Sequence, residues 1–190
     1  MNVEKIKKSK TEKIGKKIEY FKEIASTHLY AKQIAQKEEN DGKLIIAEVQ
    51  TSGIGPKGRS WYTGKSKNIA MTIILHPKCK ISNLKNLTFN IAKAVKEAIE
   101  ELYGYSLKIK EPNDLLLNGK KICGILTEIN TIGEKINYLL ISMGFNVNED
   151  EFSEQTKDIA TSLKREYNKN FEREEIILTI IEKLETEIEI

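Results

Sequence analysis

The amino-acid sequence predicts an α+β fold in which a mixed, largely antiparallel sheet packs against helices. Strand-like segments follow one another between residues 106 and 145 and are joined by short turns, which is typical of antiparallel hairpins. Two long segments with helical spacing of apolar residues flank them, so helices and strands do not alternate as in a doubly wound fold. With 190 residues, 39% of them hydrophobic, the chain can bury one sizeable core.

The first half of the chain contains three predicted strands and one helix. Residues 17–21, 43–50 and 68–75 are rich in the β-branched, aliphatic and aromatic residues that favour strands. Between the first two runs, Ser26 and Thr27 are candidate N-caps, because they precede the good helix formers of "STHLYAKQIAQKEE".

The second half begins with the strongest helical pattern in the chain. Apolar residues recur every three or four positions at Leu84, Leu87, Ile91, Val95, Ile99 and Leu102. Residues 106–110, 114–129 and 135–145 then predict consecutive strands, with Asn118-Gly119 as a hairpin turn. The spacing of apolar residues predicts a last helix over about residues 172–188.

Positive charge is concentrated at the N-terminus. Residues 1–17 hold seven lysines and two glutamates, a net charge of +5, which leaves −2 for the rest of the chain out of the total of +3. We therefore interpret residues 1–14 as a basic, solvated leader and residues 15–190 as the folded domain. Because the rest of the chain is nearly neutral, its composition does not favour a nucleic-acid-binding surface.

Composition also restricts the class of protein. No apolar run approaches the roughly 18 residues that span a membrane, and the N-terminus lacks the apolar stretch of a secretory signal. Cys79 and Cys123 lie far apart and outside any C-x-x-C pair, which favours reduced packing residues over a disulfide or a zinc site. We expect a cytoplasmic protein that does not contact a membrane.

Residues 51–67 are long for a connection between two strands, which suggests a functional loop. The stretch "GIGPKGRS" within it is close to the phosphate-binding pattern G-x-x-x-x-G-K-[ST], with Arg59 in place of lysine. That pattern needs a helix directly after the glycines, whereas the next predicted element here is a strand, so we reject a P-loop. Glycine and cationic side chains still suit a ligand, although an ordinary solvated loop explains the same residues.

Five short motifs resemble biotin protein ligases and occur in the same chain order. "KEPNDLLLNGKKICGILTEI", residues 110–129, resembles that family's K-W-P-N-D segment, hairpin and G-I-L-[VT]-E strand. "EVQTSGIGPKGRSW", residues 48–61, resembles the biotin-binding loop E-x-Q-T-x-G-R-G-R-x-G-R-x-W. "STH" at 26–28, "GFNVN" at 144–148 and "IATSL" at 159–163 resemble S-T-N, G-[IL]-N-V-N and A-T-S-L.

The resemblance covers about residues 17–185 and implies the fold of biotin and lipoate ligases, which is related to the catalytic region of class II tRNA synthetases. It also implies two reactions. The biotin carboxylate attacks the α-phosphate of Mg·ATP to give biotinyl-5′-AMP and pyrophosphate, and a lysine of a carboxylase's biotin carboxyl carrier domain then attacks the mixed anhydride. The expected small molecules are ATP, Mg²⁺ and biotin, the expected partner is the carrier domain, and the resemblance leaves a homodimer open.

The resemblance assigns residues to these tasks. Lys110 would be the cation beside the carboxylate and α-phosphate, and Arg59 would hold the phosphates. The biotin site would comprise Ser26, Thr27, Gln50, Gly53, Gly55, Lys110 and Gly124. The nucleotide site would comprise Gly58, Arg59, Trp61, Asn113, Asp114 and Asn146. Asn113 and Asp114 would shape the site or a Mg²⁺ position, and the ligands of the metal are left unassigned.

The residues themselves leave other interpretations open. Ser26 or Thr27 can cap a helix, and Lys110 can be a solvated lysine on a surface strand. Trp61 can be an ordinary core residue, and Asn113-Asp114 can form a simple turn.

The sequence also departs from the family pattern. Ile54 and Pro56 stand where the family has arginines, Glu111 replaces a tryptophan, and His28 replaces an asparagine. Ile54 and Pro56 cannot make guanidinium contacts, although Lys57 can substitute in part, so we expect weaker retention of the intermediate. We also expect no winged-helix domain and no C-terminal SH3-like domain, hence no operator binding and weaker recognition of the carrier.

Two other functions compete with a compact biotin protein ligase. A divergent paralogue could bind biotin or biotinyl-AMP without full transfer activity, and a related enzyme could activate another acid such as lipoate.

Overall fold

The computed structural model describes residues 1–63 and 66–188. Residues 64 and 65 of the predicted loop, and residues 189 and 190 of the predicted domain, lie outside this range. The strands are β1 (Ile18–Ile24), β2 (Leu44–Gln50), β3 (Ile69–Leu75), β4 (Lys108–Lys110), β5 (Asp114–Leu117), β6 (Lys120–Ile132) and β7 (Lys135–Phe145). The helices are α1 (Val3–Ile6), α2 (Thr27–Ile34), α3 (Leu87–Tyr103), α4 (Leu163–Tyr167) and α5 (Arg173–Glu187).

The strands form one seven-stranded sheet in the order β1-β2-β3-β7-β6-β5-β4. Only the β1–β2 pair is parallel among these described strands, and the other five neighbouring pairs are antiparallel. The predicted mixed, largely antiparallel α+β fold is therefore confirmed. The predicted strands and long helices are also found, and α3 begins at Leu87 after a short 3₁₀ turn at Ile81–Leu84.

The two faces of the sheet are covered differently. The large core lies on the face covered by α3 and α5, where Leu44 and Ile46 of β2 are fully buried. The intervening Ile45 faces the other side and packs against α2 in a smaller cluster with Ala31 and Tyr138. Because α2 is short, it leaves the adjoining part of that face free for residues 51–63.

Residues 1–14 do not form the solvated tail that their lysine content predicts. Ile6 and Ile14 are fully buried in the core, and backbone N–H groups of the segment donate to glutamates of α5. Glu185 accepts at 2.8 Å from Lys13 N and at 2.7 Å from Ile14 N. The charge count misses this contact because the buried isoleucines and the backbone, rather than the lysine side chains, make it.

A buried ion pair joins β2 to α5. Glu48 Oε2 accepts from Arg173 at 2.7 Å, and Glu48 Oε1 accepts from Tyr20 at 2.8 Å and from the Met1 amino group at 2.7 Å. Burial alone would raise the pKa of Glu48, but the hydrogen bonds from Arg173, Met1 and Tyr20 outweigh it and lower the pKa to about 2.

We expect Glu48→Gln to lower the free energy of unfolding at pH 7 by roughly 1.5–3 kcal/mol, the range for hydrogen bonds to charged groups. Because the folded pKa lies below the ordinary 4.5, the carboxylate's contribution is fully present above about pH 4.5 and is lost as the pH falls towards 2. Urea titrations of both proteins should therefore converge in acid. A difference that stays constant from pH 7 to pH 3 would contradict this role.

Among the described residues, no helix is both long and apolar enough to cross a membrane. Both cysteines are free thiols, and burial raises the pKa of Cys123. These features agree with Cys123 as an unreactive packing residue.

Candidate active site

A cavity of about 100 Å³ lies on the α2 face of the sheet, where β6 and β7 run side by side. Residues from α2 and the end of β2 line one end, β6 and β7 form the floor, and residues 54–61 form the cover. The volume is below the roughly 300 Å³ at the lower end of small-molecule sites. A ligand of ordinary size therefore requires the cover to move.

The first end of the cavity is polar. Gln50 Oε1 accepts from Thr27 N at 2.8 Å and from Thr27 Oγ1 at 3.0 Å, and both residues line the cavity as predicted. Ser26 does not line it, because its side chain is buried and accepts from Leu29 N as the N-cap of α2. The capping interpretation of Ser26 is therefore correct.

Two residues that the sequence analysis did not place in the site complete this polar end. His28 Nδ1 lies 2.8 Å from Ser142 Oγ, and both side chains line the cavity. His28 was noted only as a departure from the motif. Ser142 carried no signal, because it lies inside a buried strand and reaches the site only through the pairing of β7 with β3 and β6.

The floor is formed by two glycines under a tryptophan. Gly124 of β6 and Gly144 of β7 are directly opposite each other. A Cβ on Gly144 would lie less than 3.0 Å from three atoms of the Trp61 indole, and one on Gly124 would lie 3.0 Å from Trp61 Cζ3. The indole therefore lies directly over the two glycines, and its buried Nε1 has no hydrogen-bond partner among the described residues.

The predicted loop forms a small hairpin that places Trp61 there. Gly53 O accepts from Trp61 N at 2.8 Å, and a Cβ on Gly53 would lie less than 3.0 Å from the Trp61 carbonyl oxygen. At the tip, Gly58 has φ +73°, which makes it a turn residue, whereas Gly55 lines the cavity. Gly53 and Gly58 thus shape the loop.

The cover itself is partly apolar. Ile54 and Pro56 line the cavity beside Arg59. The Arg59 side chain is exposed and makes one hydrogen bond, from Nε to Pro56 O at 3.4 Å. Its guanidinium is available to an anion that enters beneath the loop.

At the opposite end of the cavity from His28 lies a lysine that the sequence analysis did not select. Lys121 Nζ is 2.6 Å from Asp114 Oδ1 and 5.4 Å from the centre of the Trp61 ring. Lys121 Nζ would also lie 3.2 Å from a Cβ on Gly124, so its charge lies at the edge of the glycine floor. The predicted Asp114 is therefore the partner of the cavity's lysine.

A β-bulge explains why Lys121 was missed. Strict alternation along β6 would put Lys121 and Gly124 on opposite faces. However, Leu115 pairs with Cys123 while Leu116 pairs with Lys121, so Ile122 is an extra residue in β6. The bulge turns Lys121 onto the face of Gly124.

Lys110, the predicted cation, lies elsewhere. It is exposed in β4 at the edge of the sheet, where it pairs with Asp114, and it does not line the cavity. The register Lys110–Asp114–Gly124 puts it on the cavity's face, two strands and about 10 Å away. Lys121, and not Lys110, is therefore the lysine that lines the described cavity.

The sequence analysis predicted Asn113 and Asn146 as nucleotide contacts. Both are buried, and their side-chain amides form hydrogen bonds within the fold. Asn113 Nδ2 donates to Ile125 O at 2.9 Å, and Asn146 Nδ2 donates to Thr161 O at 3.1 Å. Neither lines the cavity. Their amides stabilise the strands and loops around the site.

The "IATSL" motif has a similar supporting position. Lys121 N donates to Ile159 O at 2.8 Å, and Thr161 N donates to Lys121 O at 2.9 Å. The motif thus holds the backbone of the bulged strand at the lysine of the cavity.

Comparisons with known proteins agree with these features. A family model described as the biotin/lipoate A/B protein ligase family matches residues 20–147. The bifunctional ligase/repressor BirA of Bacillus spizizenii is 37% identical over 174 residues, which are 90% of this chain and 54% of that protein. The chain therefore spans about half the length of these curated relatives, the BirA proteins that it matches.

Solved structures show the same fold. The biotin protein ligase from Aquifex aeolicus in complex with biotin and ATP has a TM-score of 0.78 at 29% identity, covering 90% of this chain and 70% of that chain. P. falciparum LipL1 in complex with lipoate has a TM-score of 0.58 at 11% identity, covering 88% and 61%, which shows a shared fold alone.

Proposed function

This chain belongs to the biotin/lipoate A/B protein ligase family, and we propose that it activates biotin with ATP to biotinyl-5′-AMP and transfers the biotinyl group to a lysine of a carboxylase carrier domain. The names of its relatives support both the acid and the transfer.

The observation that carries this proposal is the order of chemical groups along the cavity. Hydroxyl, imidazole and amide groups lie at one end, the Gly124–Gly144 floor and Trp61 lie in the middle, and Lys121 lies at the other end. Biotin has the same order: a polar ureido head, an apolar chain and a carboxylate. A dithiolane head has no N–H or C=O to pair with the polar end, so lipoate fits less well.

In the first reaction, a carboxylate oxygen of biotin bonds to the α-phosphorus of ATP, and the bond to the bridging oxygen of pyrophosphate breaks. Negative charge gathers between the two anions as they meet. Lys121 stabilises that charge from the end of the glycine floor, after exchanging its contact with Asp114 for the ligand. Arg59 holds phosphate from the loop, and Lys110, on the same face, reaches the parts of ATP that extend towards β4.

In the second reaction, the carrier lysine's amine attacks the anhydride carbonyl and AMP leaves. The apolar cover restricts water, which would hydrolyse the anhydride.

Mg²⁺ is expected to enter on the phosphates of ATP, as this ion commonly does. Among the described residues, no group of three or more His, Cys, Asp or Glu side chains could hold a metal ion alone. Its protein ligands are therefore not assigned. The cytoplasmic location and the homodimer stay predictions, and the reduced cysteines support the former.

Two measurements test the proposed function. Pyrophosphate release from ATP should depend on biotin and not on lipoate, and the mass of a biotin carboxyl carrier domain should rise by one biotinyl group. Release without a change in carrier mass would favour the paralogue that makes or binds biotinyl-AMP without transfer. Release with lipoate alone would favour the other acid.

The apolar cover leads to a separate prediction. Restoring arginines with Ile54→Arg and Pro56→Arg should slow the release of biotinyl-AMP by roughly tenfold, because each guanidinium adds a charge-assisted contact to the phosphate. The rate is measured by chasing bound biotinyl-AMP with excess biotin. Lys57 is exposed at the tip and does not line the cavity, so it does not replace the missing arginines as the sequence analysis expects. Lys57→Arg is therefore the matched control and should change the rate little. Equal release from all three proteins would show that the cover does not contact the phosphate.

A further inference from the structure

A continuous chain of hydrogen bonds runs through the polar end of the cavity. It starts at Gln50 Oε1, which lies 3.0 Å from Thr27 Oγ1. Thr27 Oγ1 is 2.9 Å from Thr72 Oγ1, and Thr72 Oγ1 is 2.9 Å from Ser142 Oγ. Thr72 is fully buried and Ser142 nearly so, so the middle of the chain has little access to water.

The chain ends at a histidine and a carboxylate. His28 Nδ1 lies 2.8 Å from Ser142 Oγ, and His28 Nε2 lies 3.1 Å from Glu128 Oε2. Lys32 holds the second oxygen of Glu128 at 2.7 Å. Burial alone would raise the pKa of Glu128, but the hydrogen bonds from Lys32 and His28 outweigh it and lower the pKa, so the carboxylate only accepts.

The number of protons in this chain of hydrogen bonds determines which group donates and which accepts in each contact. Gln50 Oε1 is fixed as an acceptor because Thr27 N–H donates to it at 2.8 Å. Five contacts then join Gln50 to Glu128, and each contact needs one proton. The three hydroxyl groups supply three protons, so the His28 ring must supply two.

We propose that His28 is a positioning residue for the ligand's head: as an imidazolium held by Glu128, it directs every hydroxyl proton of the chain towards Gln50, so that the cavity presents acceptors to an N–H donor. This inference rests on the proposed function and names the part of the acid that the site selects.

The consequence follows from the lone pairs that stay free. Ser142 Oγ accepts from His28 and donates to Thr72, and Thr27 Oγ1 accepts from Thr72 and donates to Gln50. Each of these two cavity-lining oxygens retains one lone pair and no free proton. They therefore favour a head with N–H donors, such as a cyclic urea. With a neutral ring, one of the five contacts would lack a proton and the direction of the chain would no longer be fixed.

Few charges face this ring from the elements that pack around it. Among the described residues these are Glu128 of β6 and, through that carboxylate, Lys32 of α2, with Tyr138 of β7 beyond Lys32. The contacts from β2, β3 and the inner part of β7 are uncharged amide and hydroxyl groups. The charge on His28 is thus coupled to one carboxylate.

The first test measures the protonation of the His28 ring nitrogens directly. The protein contains two histidines, so ¹⁵N NMR of the imidazoles gives few signals. The signals that disappear in His28→Asn belong to His28. We expect both ring nitrogens of His28 to be protonated at pH 7. A ring with one protonated nitrogen would overturn the inference, whether or not the protein binds biotin.

The second test uses binding. At about pH 7, His28→Leu, which gives Ser142 no proton, should bind biotin about fivefold more weakly than wild type, the value of one hydrogen bond. His28→Asn keeps an N–H donor, so its affinity should stay close to that of wild type. An analogue with a ureido N–H replaced by oxygen should bind wild type about fivefold more weakly than biotin.

The outcomes are distinguishable. Equal biotin affinity in wild type, His28→Asn and His28→Leu would overturn the role of His28 while leaving biotin as the ligand. Absence of biotin binding to the wild-type protein would contradict the proposed function, and the NMR result would then still decide the proton count.

Discussion

Lys121→Ala is expected to slow the formation of biotinyl-AMP by about 10²–10³-fold while biotin affinity stays largely unchanged. The reason is that Lys121 has a partner in the free protein, Asp114 at 2.6 Å, and gains its strongest interaction only as the carboxylate and α-phosphate approach each other. Loss of such a contact lowers the rate of activation more than it lowers binding.

Two other lysines are matched controls for this variant. Lys120 is the adjacent residue in β6 and pairs with Leu117, which puts it on the opposite face of the sheet. Lys120→Ala should therefore leave activation unchanged. Lys110→Ala should cost less than Lys121→Ala, because Lys110 is exposed at the sheet edge. Activation is measured as single-turnover formation of biotinyl-AMP, and a larger loss for Lys110→Ala would restore the assignment made from the sequence.

Gly144→Val is expected to weaken biotin binding by roughly 100-fold. A Cβ at this position would lie less than 3.0 Å from three indole atoms of Trp61, so valine would displace the indole and project from the floor where the chain of the acid is expected. The strand itself should persist, since valine is a good strand former and Gly144 lies inside a long, paired strand.

Gly124→Val provides a graded comparison. Its Cβ would meet Trp61 Cζ3 at 3.0 Å and the flexible end of Lys121 at 3.2 Å, so we expect a smaller loss, roughly tenfold. Affinity is measured by calorimetry and folding by thermal melting. If Gly144→Val does not fold, Gly144→Ala tests the same contact with less added volume. Unchanged affinity in folded variants of both glycines would show that biotin binds elsewhere.

Local patterns were sufficient to predict much of the fold. Helical spacing of apolar residues identified α3 and α5, and the Asn118-Gly119 turn identified the hairpin of β5 and β6. These features depend on residues close together in the chain. The predicted site residues Thr27, Gln50, Gly55, Arg59, Trp61 and Gly124 all line the cavity.

The remaining features depend on how distant strands pair. Lys121 reaches the cavity only because a bulge reverses the alternation of β6. Thr72 contacts Thr27, and Ser142 contacts Thr72, only because β7 pairs with β3 beneath α2. Neither register can be read from periodicity along one segment. The resemblance assigned the cation to Lys110 of the motif, and no local pattern indicated that Lys121 faces the cavity.

In the proposed complex, the cavity holds one acid between a polar head site, a glycine floor and a lysine. A crystal structure of this protein with biotin and ATP would show whether the acid binds in this way. We expect the ureido head at Thr27 and Ser142 and the chain over Gly124 and Gly144. We also expect Lys121 Nζ about 3 Å from the carboxylate or the α-phosphate. A ligand bound away from the two glycines, or a carboxylate not contacted by Lys121 while that lysine stays on Asp114, would contradict this arrangement.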